Sequence, residues 1–187
     1  MIHVIKPGLL TTVQDLGRPG FAHLGLSPAG AADSVSFRVA NFLVGNPPNT
    51  PALEITLVGP TLEFDAPTTA AISGAHTSTS VVLNQAFHVA PGEKIAIGSL
   101  LDGARTYLAV RGGIAVPPVM NSCSTFLPAR LGGFEGRALR AGDCVRVGEK
   151  TLGACKRLPS GLREELSRTS QGPLRVTPSL QHDWFGP

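Results

Sequence analysis

The chain has 187 residues, 42% of them hydrophobic and 16% charged, with a formal net charge of +3. That is enough apolar material for one domain of ordinary size, or one and a fraction, and it excludes a disordered chain. Basic residues are scattered among acids beside a single Trp and a single Tyr, so no nucleic-acid-binding stripe is expected.

The opening MIHVIKPG lacks a basic segment leading into an apolar stretch, so no signal peptide is expected. Residues 2–6 and 9–13 read as two short strands around Pro7-Gly8. The second runs into TTVQDLGRPG, where Gln14, Asp15 and Arg18 sit on a turn spaced by Gly17 and closed by Pro19-Gly20. After the small-residue loop GLSPAGAADS, Asp33 is placed to cap a helix over 33–44, since its carboxylate can accept the free N–H groups of a first turn. Val35, Val39, Phe42 and Leu43 recur at helical spacing, Gly45 supplies the stop and Pro47-Pro48 prevents continuation.

From there the texture is that of strands. ALEITLVG, TLEFDA, TAAISGA, SVVLNQAFHV, EKIAIGSL, RTYLAVRGGIAV and CVRVGE recur at intervals of roughly ten residues, each bounded by Gly, Pro or Asn, which indicates an all-β barrel or sandwich. APGEK and RAGDC each set a Gly between strands, as a tight hairpin turn requires. No βαβ alternation appears. Past Lys150 a charged patch at 160–168, with Ser160 as candidate cap, reads as helical within a linker over 151–172. In LRVTPSLQHDWFGP the first residues start a strand, and Trp184 and Phe185 call for a partner surface.

Standard catalytic templates are missing: no G-x-S-x-G, no P-loop and no H-E-x-x-H occurs. His3, His23, His76, His88 and His182 are isolated, so no metal site is expected. Cys123, Cys144 and Cys155 are an odd count without C-x-x-C spacing, which fits a reducing cytoplasm, and none has a His at a recognisable local offset. GGFEG is glycine-rich but lies between strands, away from any helix N-terminus that would hold an anion.

Two stretches carry chemistry. The first is Gln14, Asp15 and Arg18 with Asp33. Here Asp15 and Arg18 either form a salt bridge that pins the turn, or Arg18 offers its planar fork to a carboxylate, carbamate or phosphate while Gln14 and Asp15 orient it. The second is VRGGIAVPPVMNSCSTFLPARLGGFEGR. Gly112-Gly113, the hydroxyls of Ser122, Ser124 and Thr125, and Arg130 and Arg137 form either a polar rim or a structural loop with glycines at positive φ.

These two stretches, in the order GLLTTVQDLGRPGFAHLGLSPAGAADSVSFRVANFLVGN, ALEITLVGPTLEF, ISGAHTSTSVVLN, GARTYLAVRGGIAVPPVM, SCSTFLPARLGGFEGRALRAGD and PLRVTPSLQHDWF, resemble the biotin-dependent carboxyltransferase domain family, which includes the C subunit of 5-oxoprolinase (KipA) and allophanate hydrolase subunit 2. There are departures: where the family reads G-S-R-S-T the chain has Asn121-Ser122-Cys123-Ser124-Thr125, and an N-G turn is Asn84-Gln85. The resemblance implies a mainly β, cyclophilin-like barrel lobe over 1–150 with the one helix packed on it, and a second lobe of which only a first strand, in 173–187, is present.

The resemblance further implies a cytoplasmic component of an ATP-dependent 5-oxoprolinase, which opens 5-oxoproline to L-glutamate. ATP would act at the level of the complex, with KipI-like (B) and LamB/YcsF-like (A) subunits as partners. The alternatives are a urea carboxylase or allophanate hydrolase-type carboxyltransferase, with biotin supplied by another chain, a non-catalytic KipA-like protein-binding module, and a degraded gene product. On the enzyme reading Asp15, Arg18, Ser122 and Ser124 are the catalytic candidates. Gln14, Asp33, Arg111, Gly112, Gly113 and Arg137 are the substrate-binding candidates.

Overall fold

The computed structural model describes residues 1–149, 153–166, 177, 179–181 and 184. Among the described residues the strand cadence resolves into nine strands: β1 (Ile2–Lys6), β2 (Leu10–Gln14), β3 (Ala52–Thr56), β4 (Thr61–Phe64), β5 (Thr68–Gly74), β6 (Ala86–Val89), β7 (Lys94–Ala96), β8 (Arg105–Val110) and β9 (Cys144–Val145). They form two antiparallel sheets, a four-stranded one ordered β7-β4-β1-β9 and a five-stranded one ordered β2-β3-β8-β5-β6. The expected mainly β lobe with one packed helix is what the residues build.

Alternation along the strands sets the two cores. On β8, Leu108 and Val110 face the space between the sheets, where Ile2, Val4, Val13, Leu53, Ile55, Leu62, Phe64, Ile72 and Val145 meet. Tyr107 and Ala109 point the other way, with Ala52 and Ala71, and pack under helix α1 (Ser34–Leu43) through Phe37, Ala40 and Leu43. Small residues on that face let the helix sit close to the sheet, and Phe37 meets the Tyr107 ring edge-on at 5.9 Å.

Both ends of α1 follow the sequence. Asp33 Oδ1 accepts from the backbone N–H groups of Val35 and Ser36 at 3.0 Å each. At the other end Gly45 turns left-handed at φ 76°. Its N–H donates to Phe42 and that of Asn46 to Asn41, the paired bonds of a Schellman stop. A second short helix, α2 (Ser160–Leu166), lies within the expected patch. Leu174 to Val176 and Phe185 fall outside the described residues, and Trp184 is exposed.

Two expectations differ. SVVLNQAFHV forms a strand only over Ala86–Val89, because Asn84 adopts a left-handed φ of 56° that breaks the extended run. The APGEK turn, with Gly92 at φ 75°, is not a hairpin between partners: β6 pairs with β5 and β7 with β4, so the turn carries the chain from one sheet to the other.

Candidate functional site

Strand β2 is an edge strand of the five-stranded sheet, and an uncovered edge exposes unpaired backbone groups. Here residues 122–125 cover it. Thr125 donates to the Val13 carbonyl through both its N–H, at 3.0 Å, and its Oγ1, at 2.8 Å. Gln14 Nε2 donates back to the Thr125 carbonyl at 3.2 Å.

Asp15 fastens the start of this loop. Oδ1 accepts from Gly17 N–H at 2.7 Å, Ser122 Oγ at 2.7 Å and Ser124 Oγ at 2.5 Å, and Oδ2 accepts from Cys123 N–H at 2.6 Å. Ser122 Oγ in turn accepts from Ser124 N–H at 3.0 Å.

Arg18 reaches the same loop from the far side of the turn. Its Nη2 donates to the Ser124 carbonyl and its Nε to the Val119 carbonyl at 3.5 Å. The turn is therefore pinned, but not by an Asp15–Arg18 pair: the carboxylate takes hydroxyl and amide donors and the guanidinium takes carbonyls. Both follow from the loop's need for partners in a site closed to water. The closure is complete, with Arg18 1% exposed, Asp15 2%, Ser122 1% and Ser124 0%. Two polar atoms inside, Arg18 Nη1 and Gln14 Oε1, have no hydrogen-bond partner among the described residues. The GGFEG segment lies against this hub: a Cβ on Gly132 would come within 2.2 Å of the Ser124 carbonyl oxygen and 2.6 Å of Arg18 Nη2.

The departures from the family's G-S-R-S-T have a local account. Asn121 holds φ 61°, a left-handed conformation that Asn tolerates better than other non-glycine residues. Cys123, where the family has Arg, is half-buried. Burial pushes its thiol up, the Asp15 charge pushes the same way and Arg18 opposes both, so the thiol stays protonated near neutral pH.

Gln14, Asp15, Arg18, Ser122 and Ser124 thus come together in one hub, and the other predicted residues do not join it. Asp33 caps α1. Arg111 Nη2 donates to the Gly153 carbonyl, tying the end of β8 to a strap over 153–158. Gly112 N–H donates to Asn46 Oδ1 at 3.0 Å, and a Cβ on Gly113 would come within 2.2 Å of Thr50 Cγ2. Arg137 is held by Asp143 at 2.7 Å and Glu135 at 2.7 Å, which together outweigh its desolvation and push its guanidinium above the ordinary value.

Sequence reasoning missed a second polar set. Glu54 Oε2 accepts from the Tyr107 hydroxyl and from Ala32 N–H, both at 2.8 Å, and the Tyr107 oxygen accepts from Asp33 N–H at 2.7 Å. Burial foremost, then Glu54, drives the phenol well above its ordinary pKa. It also missed two hollows beside the strap, of about 240 and 260 Å³, which share Gln85, Lys156 and Arg157. Asn84 lines the first, with a buried Oδ1 that has no partner among the described residues. None of the ten predicted residues lines either hollow. Of the residues around these hollows the sequence had marked Asn84-Gln85, as a departure from the family's N-G turn, but not as a groove.

Among the described residues no group of three or more His, Cys, Asp or Glu is arranged to hold a metal, and no helix is long and apolar enough to cross a membrane.

The chain is 44% identical over 154 residues to the C subunit of 5-oxoprolinase from Escherichia coli (strain K12), covering 80% of this chain and 50% of that protein. It is 40% identical over 186 residues to the urea amidolyase of Lachancea kluyveri, covering 96% of this chain and 10% of that one. The crystal structure of the Kluyveromyces lactis urea carboxylase superposes with a TM-score of 0.81 at 38% identity, over 90% of this chain and 16% of that one. The chain thus spans half the length of its oxoprolinase relative and a tenth of the amidolyase. The profile of the carboxyltransferase domain, subdomain A and B, matches residues 24–187, and the chain belongs to that family.

Proposed function

We propose that this chain serves as a carboxyltransferase-type lobe in a cytoplasmic, ATP-dependent 5-oxoprolinase that converts 5-oxoproline to L-glutamate. The observation that carries this reading is the 44% identity to the C subunit of an oxoprolinase, of which the chain matches half. A lactam carbonyl is a poor electrophile, so ATP, hydrolysed by the complex, would supply a phosphoryl leaving group on the carbonyl oxygen. Partners of the KipI-like and LamB/YcsF-like types complete the assembly.

In this reading Asp15, Arg18, Ser122, Ser124 and Gln14 are positioning residues. They are enclosed, so they act on substrate by fixing the 119–125 loop. Asp33, Arg111, Gly112, Gly113 and Arg137 hold the elements around it. Lys156 and Arg157, which line the strap hollows, offer cations for the substrate carboxylate.

The test is ATP-dependent release of glutamate from 5-oxoproline with the partner proteins added or withheld. Turnover that requires this chain supports the reading. A fully assembled but inactive set in which this chain still binds the KipI-like partner would establish the protein-binding module instead. Arg157→Gln is expected to raise KM for 5-oxoproline several-fold with kcat little changed.

The second reading is carboxyl transfer from carboxybiotin on another chain to urea. It is favoured by the match to urea amidolyase over 96% of the chain. Urea-dependent consumption of carboxybiotin, with no glutamate released, would select it.

A further inference from the structure

On the outer face of the four-stranded sheet three side chains from distant parts of the sequence meet. Register pairs His3 on β1 with Cys144 on β9 and with Glu63 on β4. Cys144 Sγ lies 3.1 Å from His3 Nδ1, and His3 Nε2 lies 2.6 Å from Asp65 Oδ1. With its proton on Nε2 and donated to Asp65, the imidazole turns the Nδ1 lone pair toward the thiol. The carboxylate fixes both the tautomer and the orientation of the ring. A second acceptor near the sulfur, the Gly142 carbonyl, is more distant at 3.8 Å.

This array is accessible, with Cys144 exposed. His3, Asp65 and Gly142 line an open hollow of about 490 Å³, and Cys144 touches two of these three. Its other charged lining residue is Glu63, which is paired with Lys94 at 3.5 Å. Arg146, just beyond the end of β9, is exposed, and Asp143 is occupied by Arg137. Desolvation alone would raise the Asp65 carboxyl, but the hydrogen bond and charge of His3, with the amino group of Met1, hold it below the ordinary carboxylate value. It therefore remains an anion beside the imidazole at neutral pH.

We propose that Cys144 is a thiol-modification site, activated by His3 and Asp65, that undergoes exchange with small disulfides. The Cys144 proton passes to His3 Nδ1, and the thiolate attacks one sulfur of the reagent. A bond forms between Cys144 and that sulfur as the reagent's own S–S bond breaks. The departing thiolate takes the proton back from His3. Cys144 is thereby oxidised to the mixed disulfide and the departing sulfur reduced, with no other reactant. The carboxylates of the hollow are already paired, Glu63 with Lys94 and Asp65 with His3 and the Met1 amino group, so small size and not charge sets which disulfides enter. No oxyanion site is needed, which distinguishes this exchange from acyl transfer.

The full chain is treated with cystamine between pH 6 and 9, quenched in acid and mapped by peptide mass spectrometry, which separates Cys144 from Cys123 and Cys155. At pH 7 Cys144 is expected to react several-fold faster in the native chain than in the chain unfolded in urea, because His3 takes the thiol proton as the sulfur attacks. His3→Gln should bring the native rate to about that of the unfolded chain, and Asp65→Asn should give an intermediate rate. The proposal is overturned if native Cys144 reacts no faster than in urea, a comparison that needs no variant. It is equally overturned if folded His3→Gln retains the native rate.

Discussion

Asp15 shows how much of this lobe hangs on one side chain. Its two oxygens accept from four donors and are all but closed to water, so Asp15→Asn both removes an acceptor and sets an amide donor against existing donors. A loss of about 3 kcal/mol is expected in denaturant unfolding, because buried donors left without a partner retain their full desolvation cost. Arg18→Ala strips donors from the Ser124 and Val119 carbonyls, so lowered stability is expected along with lost turnover. Tyr107→Phe removes a hydroxyl that bridges Glu54 and the Asp33 N–H, and about 1–3 kcal/mol should be lost in the same assay. The residue types at the hub were legible in QDLGR and NSCST. Their partners were not, because Asp15 and Ser122 are 107 positions apart and only the fold makes them neighbours.

The elements were the most legible level. The helix was expected over 33–44 and forms over Ser34–Leu43, because its cap, apolar period and glycine stop are all local signals. Asp33→Ala should cost about 1 kcal/mol in thermal unfolding, the usual worth of such a cap. Gly45 carries a second role that no local pattern showed. A Cβ there would come within 2.5 Å of the Ala154 carbonyl oxygen, and its φ is left-handed, so Gly45→Ala strains the turn and displaces the strap as well. Faster tryptic cleavage after Lys156 and Arg157 in Gly45→Ala, with the sheets' circular dichroism unchanged, is the expected result.

At the scale of the molecule, two sheets share one core, and three carboxyls fasten segments together, Asp65 and Asp102 to residues 62 and 26 positions away and Asp143 to its own loop. Desolvation pushes Asp65 and Asp102 upward, yet His3 and His76 hold both below the ordinary value, and Arg137 does the same for Asp143. Because the folded chain binds these protons less tightly than the unfolded one, stability is full above about pH 4 and falls as pH drops through the lowered values. Urea titrations between pH 6 and 2 should show that fall, and Asp143→Asn should flatten part of it. The sequence by itself determined the strand-rich class, the helix with its two ends and the family, since periodicity, caps, turn residues and motif order are read within a few neighbours. The tertiary structure alone decided that Arg18 turns inward to carbonyls, that β6 and β7 belong to different sheets and that His3 meets Cys144. Such pairings depend on which strand lies beside which, and the free energy that selects them comes from burying both sheet faces together, a property of no single segment.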